Sequence, residues 1–332
     1  MDPLTHTATG LFLSRVGLRK WTPLATPILL LAANAPDIDI VTLAGGSVNY
    51  LHFHRHLTHA FVAIPVMAVL PVVLVRLIAR KPVRWVGAIA AAAVAVLTHL
   101  LLDLTNIYGI RLMLPFSPRW FRLDLTGVVD VWIWAAFLLA VAAPFIGTLV
   151  GSEIGGRDHK PRHHGRGFAW FALAFLLLYN CGRAVLHARA LAVVESRVYQ
   201  DAPPGRAMVG PDGMDPWSWR GVVETGDFYA VAPLHLGREF DPARAAIFHK
   251  PDPDPAIDVA RRSETVSRFL EFSQFPLWRV SPAPQPEGAK LVEIFDMRFG
   301  TPSNPSFMVS ALVSNRLQVL ETHLSYGRPR NP

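Results

Sequence analysis

The chain has 332 residues, 51% of them hydrophobic and only 17% charged, against the roughly one quarter charged residues of an ordinary globular domain. Its single cysteine, Cys181, excludes an intramolecular disulfide and a thiolate metal cluster. The net charge of +7 is scattered as short basic patches between apolar runs, so it reads as loops flanking membrane helices and not as the continuous stripe of a nucleic-acid surface.

The opening residues, MDPLTHTATG, lack the positive n-region of a cleavable signal, so the first helix is expected to remain in the mature protein. Two short apolar segments, 5–18 and 24–35, fall below the roughly 20 residues a bilayer crossing needs, and they read as tilted, half-buried or re-entrant helices. Four stretches of span length follow, at 60–79, 85–102, 128–150 and 168–194, the last interrupted by Arg183, His187 and Arg189. From about Glu195 the texture changes. Turn clusters such as DAPPGRAMVGPDGMDP and FHKPDPDPA punctuate strand-like runs, namely WRGVVE, DFYAVAP, LWRVS, KLVEIFDMRF, FMVSALVS and RLQVLET. Between them AIDVARRSETVSRFLEFSQF carries apolar residues at helical spacing. The expected fold is an all-α transmembrane helical bundle, with four spans and two shorter N-terminal helices, over residues 1–194. A small soluble α+β domain, an antiparallel sheet with one helix packed on it, is expected over 195–332.

The loops orient the bundle. RVGLRK (15–20), RKPVRW (80–85) and GRDHKPRHHGR (156–166) are dense in Lys and Arg, which places them in the cytoplasm. The connections 37–59 and 103–127, and the domain after the last span, then face the opposite side. Arg55, Arg111, Arg119 and Arg122 stand on that second face and weaken the asymmetry unless they serve a purpose there.

Sorted by face, the polar residues form a pattern that chain order hides. His6 opens the first helix, Asp37 and Asp39 sit in APDID, and His52, His54, His56 and His59 crowd the lip of the first full span. His99 and Asp103 close the second span in THLLLDLTN. All lie on the face opposite the basic loops. His99 and Asp103 are four apart, one turn along a single helix face. PDID alone reads equally as a turn with a helix cap, and His52 and His56 as interfacial residues. Ionisable residues inside a membrane are rare and usually functional, so the four elements together favour a site. A mixed Asp/His set without cysteine suits zinc first, then manganese, nickel or iron. His235, His249 and His323 in the C-terminal region share no ligand spacing.

The blocks THTATG, APDID, HRHLTHA and THLLLDLTNIYGIRLMLPFSPRWFRLD, in that order over residues 1–125, resemble the membrane-bound metal-dependent hydrolase family of bacterial inner-membrane proteins. The family pattern falls on His6, Asp37, Asp39, His54, Arg55, Thr58, His59, His99 and Asp103, and His56 stands where the family has glycine. The resemblance implies a multi-pass protein of the bacterial inner membrane and a metal-dependent enzyme.

The expected site lies at the non-cytoplasmic end of the bundle. His59, His99, Asp103 and one or both of Asp37 and Asp39 would ligate one or two divalent ions, with His6 and His54 as further ligands or as partners fixing a ring tautomer. The ion would bring the pKa of bound water toward neutrality, and an unligated Asp37 or Asp39 would act as general base. Arg55 would stabilise transition-state charge, and Arg111, Arg119 and Arg122 would bind an anionic head group. For Arg119 and Arg122, beside Trp120 and Phe121, interfacial anchoring is the plainer role. The expected reaction is hydrolysis of an ester or phosphoester in a lipid-like or membrane-associated substrate, and a peptide bond would fit the same site. The alternative is a non-catalytic metal-binding or ion-conducting membrane protein. A conduit needs polar residues through the bundle, and the middle of the second span, AIAAAAVAVL, has none.

Overall fold

A computed structural model describes residues 1–154 and 165–326, so most of the basic loop at 156–166 lies outside the described residues. The chain divides into two compact units. One comprises Met1–Asp39 and Arg55–His187, and the other comprises Ile40–His54 with the chain from Ala188 onward.

The first unit is helical. Helix α1 (Pro3–Val16) begins where the Asp2 carboxylate accepts from the Leu4 and Thr5 N–H groups, both at 3.0 Å, with Pro3 in the first turn. Helix α2 (Ala25–Ala32) is followed by a 3₁₀ stretch, Ala35–Gly45, bent from it by 47°. Helix α3 (Ser47–Phe53) belongs to the second unit. Helices α4 (Ile64–Ala79) and α5 (Trp85–Leu104) pack on α2. Their contact is built from small side chains: Ala88, Ala91, Ala92 and Ala95 of α5 are buried with Ala32, Ile28, Ala68 and Val72. Alanines at three- and four-residue spacing let helices approach closely without a hydrophobic drive from water. Gly10 does the same for α1, since a Cβ there would lie 2.7 Å from the Leu29 carbonyl oxygen of α2. Helix α6 (Val131–Ile154) starts on Asp130, which accepts from the Trp132 and Ile133 N–H groups, and α7 (Gly165–Glu195) runs 31 residues.

Among the described residues, three helical stretches are long and apolar enough to cross a membrane, Phe61–Ala79, Trp85–Leu104 and Gly165–Glu195, and the bent pair Ala25–Ala32 with Ala35–Gly45 makes a fourth if it counts as one span. Helix α6 covers most of the span expected at 128–150 and is apolar over its described side chains, Val131–Gly147.

The second unit differs from expectation in its layers. Strands β1 (Arg206–Pro211), β2 (Ser218–Glu224), β3 (Phe228–His235) and β4 (Ala246–His249) form one antiparallel sheet in that order. Strands β5 (Pro276–Pro282), β6 (Lys290–Asp296), β7 (Phe307–Val313) and β8 (Val319–Tyr326) form a second. The single sheet expected from sequence is therefore two. Alternating patterns reveal strands but not their partners, and β1 was hidden among glycines and prolines while β4 is four residues long. The sheets share a core in which Met208, Val222, Tyr229 and Val231 meet Phe275, Leu277, Phe295 and Met297. The expected single helix is also two, α8 (Pro255–Arg261) and α9 (Glu264–Phe272), because Ser263 takes an extended conformation with φ −69° and ψ 145°. Val266, Phe269 and Phe272 form the buried face of α9.

Candidate metal centre

Four side chains from three separate segments converge in the first unit. Asp37 comes from the 3₁₀ stretch after α2, His59 from the turn before α4, and His99 and Asp103 from the last turns of α5. The two imidazoles face each other, Nε2 to Nε2, at 3.2 Å. Asp103 Oδ2 stands 3.3 Å from each of those nitrogens. Asp37 Oδ1 stands 3.5 Å from His59 Nε2 and 3.6 Å from His99 Nε2. A tetrahedral ion with ligand bonds of about 2.0–2.2 Å separates its donor atoms by about 3.3–3.6 Å, which five of the cluster's six donor-to-donor distances, at 3.2–3.6 Å, match closely, and all four donors lie within 4.8 Å of one another.

A hydrogen bond on the far side of the His99 ring settles which of its nitrogens is offered. His99 Nδ1 donates to the Ala33 carbonyl at 2.7 Å. His59 Nδ1 lies 3.0 Å from the Thr58 hydroxyl and 3.4 Å from Asp39 Oδ2. The Ala33 carbonyl fixes the His99 tautomer with its Nε2 lone pair toward the carboxylates, and Asp39 stands on the side of the His59 ring from which a carboxylate can do the same. Asp103 Oδ2 has no hydrogen-bond donor, although His59, His99 and Asp103 are almost wholly buried. Two carboxylates and two imidazole nitrogens gathered this closely repel one another unless a cation, a metal ion or a proton, joins them. A proton is the competing cation: burial opposes charge on His59, but the surrounding Asp103, Asp37 and Asp39 carboxylates outweigh it and raise its pKa. The donor set, its spacing and the orphaned Oδ2 fit a divalent ion.

The other residues expected at the site divide. The His6 ring stacks on the His99 ring at 3.8 Å, with its Nε2 3.4 Å from Asp103 Oδ1, behind the four donors. Asp39 stands behind His59 and accepts from the Arg55 N–H at 2.8 Å. Arg55 is buried and donates to Asp103 Oδ1 at 2.9 Å and to Asn106 Oδ1 at 3.0 Å. The Met1 amino group also pairs with Asp103 Oδ1. His54 belongs to the second unit, where its ring stacks on Tyr50 at 4.6 Å, and it is not one of the four converging donors. His52 belongs there too: it sits 3.1 Å from Glu271 Oε2 and 3.1 Å from the Arg268 guanidinium, fastening α3 to α9. Arg111 is buried, lies over the Trp120 ring at 4.8 Å and donates its N–H to the Arg55 carbonyl at 3.3 Å. Arg119 is exposed over Phe121, and Arg122 is paired with Asp124.

Sequence reasoning missed the Ala33 carbonyl, Asn106 and the Met1 amine. A backbone carbonyl has no sequence signature. Asn106, three residues after Asp103 in LLDLTN, reads there as a helix stop.

A family model described as YdjM inner membrane protein matches residues 1–190. The uncharacterized protein YfhP of Bacillus subtilis (strain 168) is 22% identical over 343 aligned residues, which cover 98% of this chain and 95% of that protein. No solved structure matches. The matched region carries all four converging donors, Asp37, His59, His99 and Asp103, and takes in the helical stretches long and apolar enough to cross a membrane, the last of them up to its final residues. The chain belongs to the YdjM inner membrane protein family, a membrane-bound metal-dependent hydrolase family.

Proposed function

We propose that this chain is a membrane-bound metal-dependent hydrolase that cleaves an ester or phosphoester bond in a lipid-like or membrane-associated substrate. The observation that carries the reading is the buried quartet Asp37, His59, His99 and Asp103, spaced as a cage for one divalent ion and held by tautomer-fixing partners. Zinc is the first choice for two imidazoles and two carboxylates, with manganese, nickel or iron also compatible. When bound, the ion supplies Lewis acidity and an acidified water.

The protein's own groups divide the remaining work. Asp39 and the Ala33 carbonyl hold the two imidazoles in register. Asp37 is the one member of the quartet with substantial exposure, its side chain 26% accessible, so it is the carboxylate that can meet solvent and accept a proton from an attacking water. Arg119, exposed beside Phe121, offers a charge to an anionic head group, whereas the Arg122 charge is already balanced by Asp124. The site and the domain over 195–332 face the non-cytoplasmic side in this reading, and a reporter fused after Pro332 is expected to be active only outside the cytoplasm.

A second reading, non-catalytic metal binding, draws on the same quartet. Four protein donors saturate a tetrahedral ion as structural sites do, whereas catalytic sites keep a position open. The two readings part on Asp37. In the catalytic one, metal-loaded protein hydrolyses an ester or phosphoester lipid analogue, chelation abolishes turnover, and Asp37→Asn, loaded with metal at a concentration that offsets its weakened binding, loses the activity. Metal retained with no turnover across ester, phosphoester and peptide substrates moves the conclusion to the non-catalytic reading.

A further inference from the structure

We propose that Arg55 is a positioning residue: its grip on Asp103 Oδ1 leaves Oδ2 alone to face the ion, fixing a one-oxygen carboxylate ligand and hence a four-coordinate centre. The inference rests on the metal reading above and gives Arg55 a different task from the charge stabilisation expected of it.

Arg55 is 4% exposed, so a substrate does not reach it. Its guanidinium is committed. One terminal nitrogen donates to Asp103 Oδ1 at 2.9 Å, and the other donates to Asn106 Oδ1 at 3.0 Å and approaches the Gly109 carbonyl at 3.5 Å. The plane lies over the Tyr108 ring at 4.9 Å. Nε, itself buried, has no partner. The backbone is equally tied. The N–H donates to Asp39 Oδ2 at 2.8 Å, and the carbonyl accepts the Arg111 N–H at 3.3 Å. All this is held at φ +55°, a left-handed conformation that non-glycine residues seldom adopt and that persists where surrounding contacts over-determine it. A residue buried and committed on so many sides does not meet a substrate. It can hold one carboxylate oxygen in place.

The consequence is written in the two oxygens of Asp103. Oδ1 receives Arg55 and the Met1 amine, while Oδ2 receives no hydrogen bond and stands 3.3 Å from both Nε2 atoms. A carboxylate free to rotate can close on an ion with both oxygens, which adds a ligand and flattens the tetrahedral cage. Arg55 prevents that rotation through a directional, charge-assisted hydrogen bond that neither Lys nor Gln reproduces while also holding Asn106.

The test is cobalt substitution of the full-length protein in detergent, read by visible ligand-field absorption and by a competition titration. Wild type is expected to give the intense bands of a four-coordinate centre. Arg55→Gln is expected to give the weak bands of a higher-coordinate centre, with affinity lowered about 10–100-fold as for loss of other groups that hold ligands. Arg55→Lys, which keeps a charge beside Asp103, and Asn106→Ala, which keeps Arg55, are expected to fall between, and they carry the test if Arg55→Gln does not fold. Wild-type spectra and affinity in all the variants that fold overturn the positioning role while leaving the metal centre intact. No cobalt bound by wild type overturns the metal centre and this inference with it.

Discussion

Gly10→Ala places a methyl group where α1 crosses α2. The added Cβ would lie 2.7 Å from the Leu29 carbonyl oxygen and 3.0 Å from the Ala33 Cβ. The closer contact is about 0.8 Å inside the ~3.5 Å at which non-bonded atoms stop repelling, and the obstacle is backbone, which cannot swing aside. The two helices must separate by a comparable distance, at the 1–3 kcal/mol typical of an overpacked contact. The shift does not stay local. His6, one turn before Gly10, stacks on the His99 ring at 3.8 Å, and the Ala33 carbonyl holds His99 Nδ1 at 2.7 Å. Both supports of His99 move, so metal affinity is expected to fall about tenfold, the low end of the range for disturbed ligand partners. Thermal unfolding in detergent reads the stability, and competition with a chromophoric chelator reads the affinity. Gly182→Ala in α7, where an added Cβ meets nothing within 4 Å, serves as the control and is expected to leave affinity unchanged and stability equal or higher by up to about 1 kcal/mol, the helix-propensity gain of alanine over glycine. Wild-type affinity in a destabilised Gly10→Ala protein would refute the link between helix crossing and the metal centre. Wild-type values for both would refute the crossing as well.

Asp103→Asn is expected to abolish stoichiometric metal, because it removes charge from the wholly buried donor, whereas Asp37→Asn weakens binding without abolishing it; elemental analysis separates the two. His54→Ala and His56→Gly are expected to keep full metal content, since neither belongs to the converging quartet. His52→Ala should likewise keep its metal but unfold the second unit more readily, having lost the contact to Glu271 and Arg268, and limited proteolysis reads that loss. Glu224 is buried enough to resist ionisation, yet the Lys250 hydrogen bond and the Arg206 charge win and hold its pKa below the usual glutamate value. A depressed carboxylate contributes stability above its unfolded pKa and loses it as the pH falls through the folded one. Glu224→Gln is therefore expected to lower thermal stability at neutral pH, with the gap to wild type closing in acid.

The candidate site was legible because its chemistry is local in sequence even though its geometry is not. The His99–Asp103 spacing puts both side chains on one helix face, and the span pattern puts His59 and Asp37 at the same end of the bundle. What spacing could not say was the order of shells. Asp39 and Asp37 are two residues apart in a 3₁₀ stretch, and only the fold turns one toward the quartet and the other behind His59. The histidine-rich decapeptide was the most conspicuous signal and the least selective. The boundary between the two units falls inside it, so His52 and His54 belong with α3 while His59 enters the quartet. In the second unit the strands announced themselves by alternation, but sheet membership depends on contacts such as Tyr229 with Phe275, far apart in the chain. The helix break at Ser263 left only a weak sign, a serine N-cap followed by Glu264, because arginine, serine and glutamate also sit on the surface of a continuous helix.

That Asp37, His59, His99 and Asp103 hold a divalent ion is tested by the metal content of the full-length protein purified in detergent without added metal, wild type beside His59→Ala and Asp103→Asn. One equivalent of a single transition metal in wild type, and almost none in either variant, is the expected result. Substoichiometric metal in all three, or equal metal in all three, would contradict it.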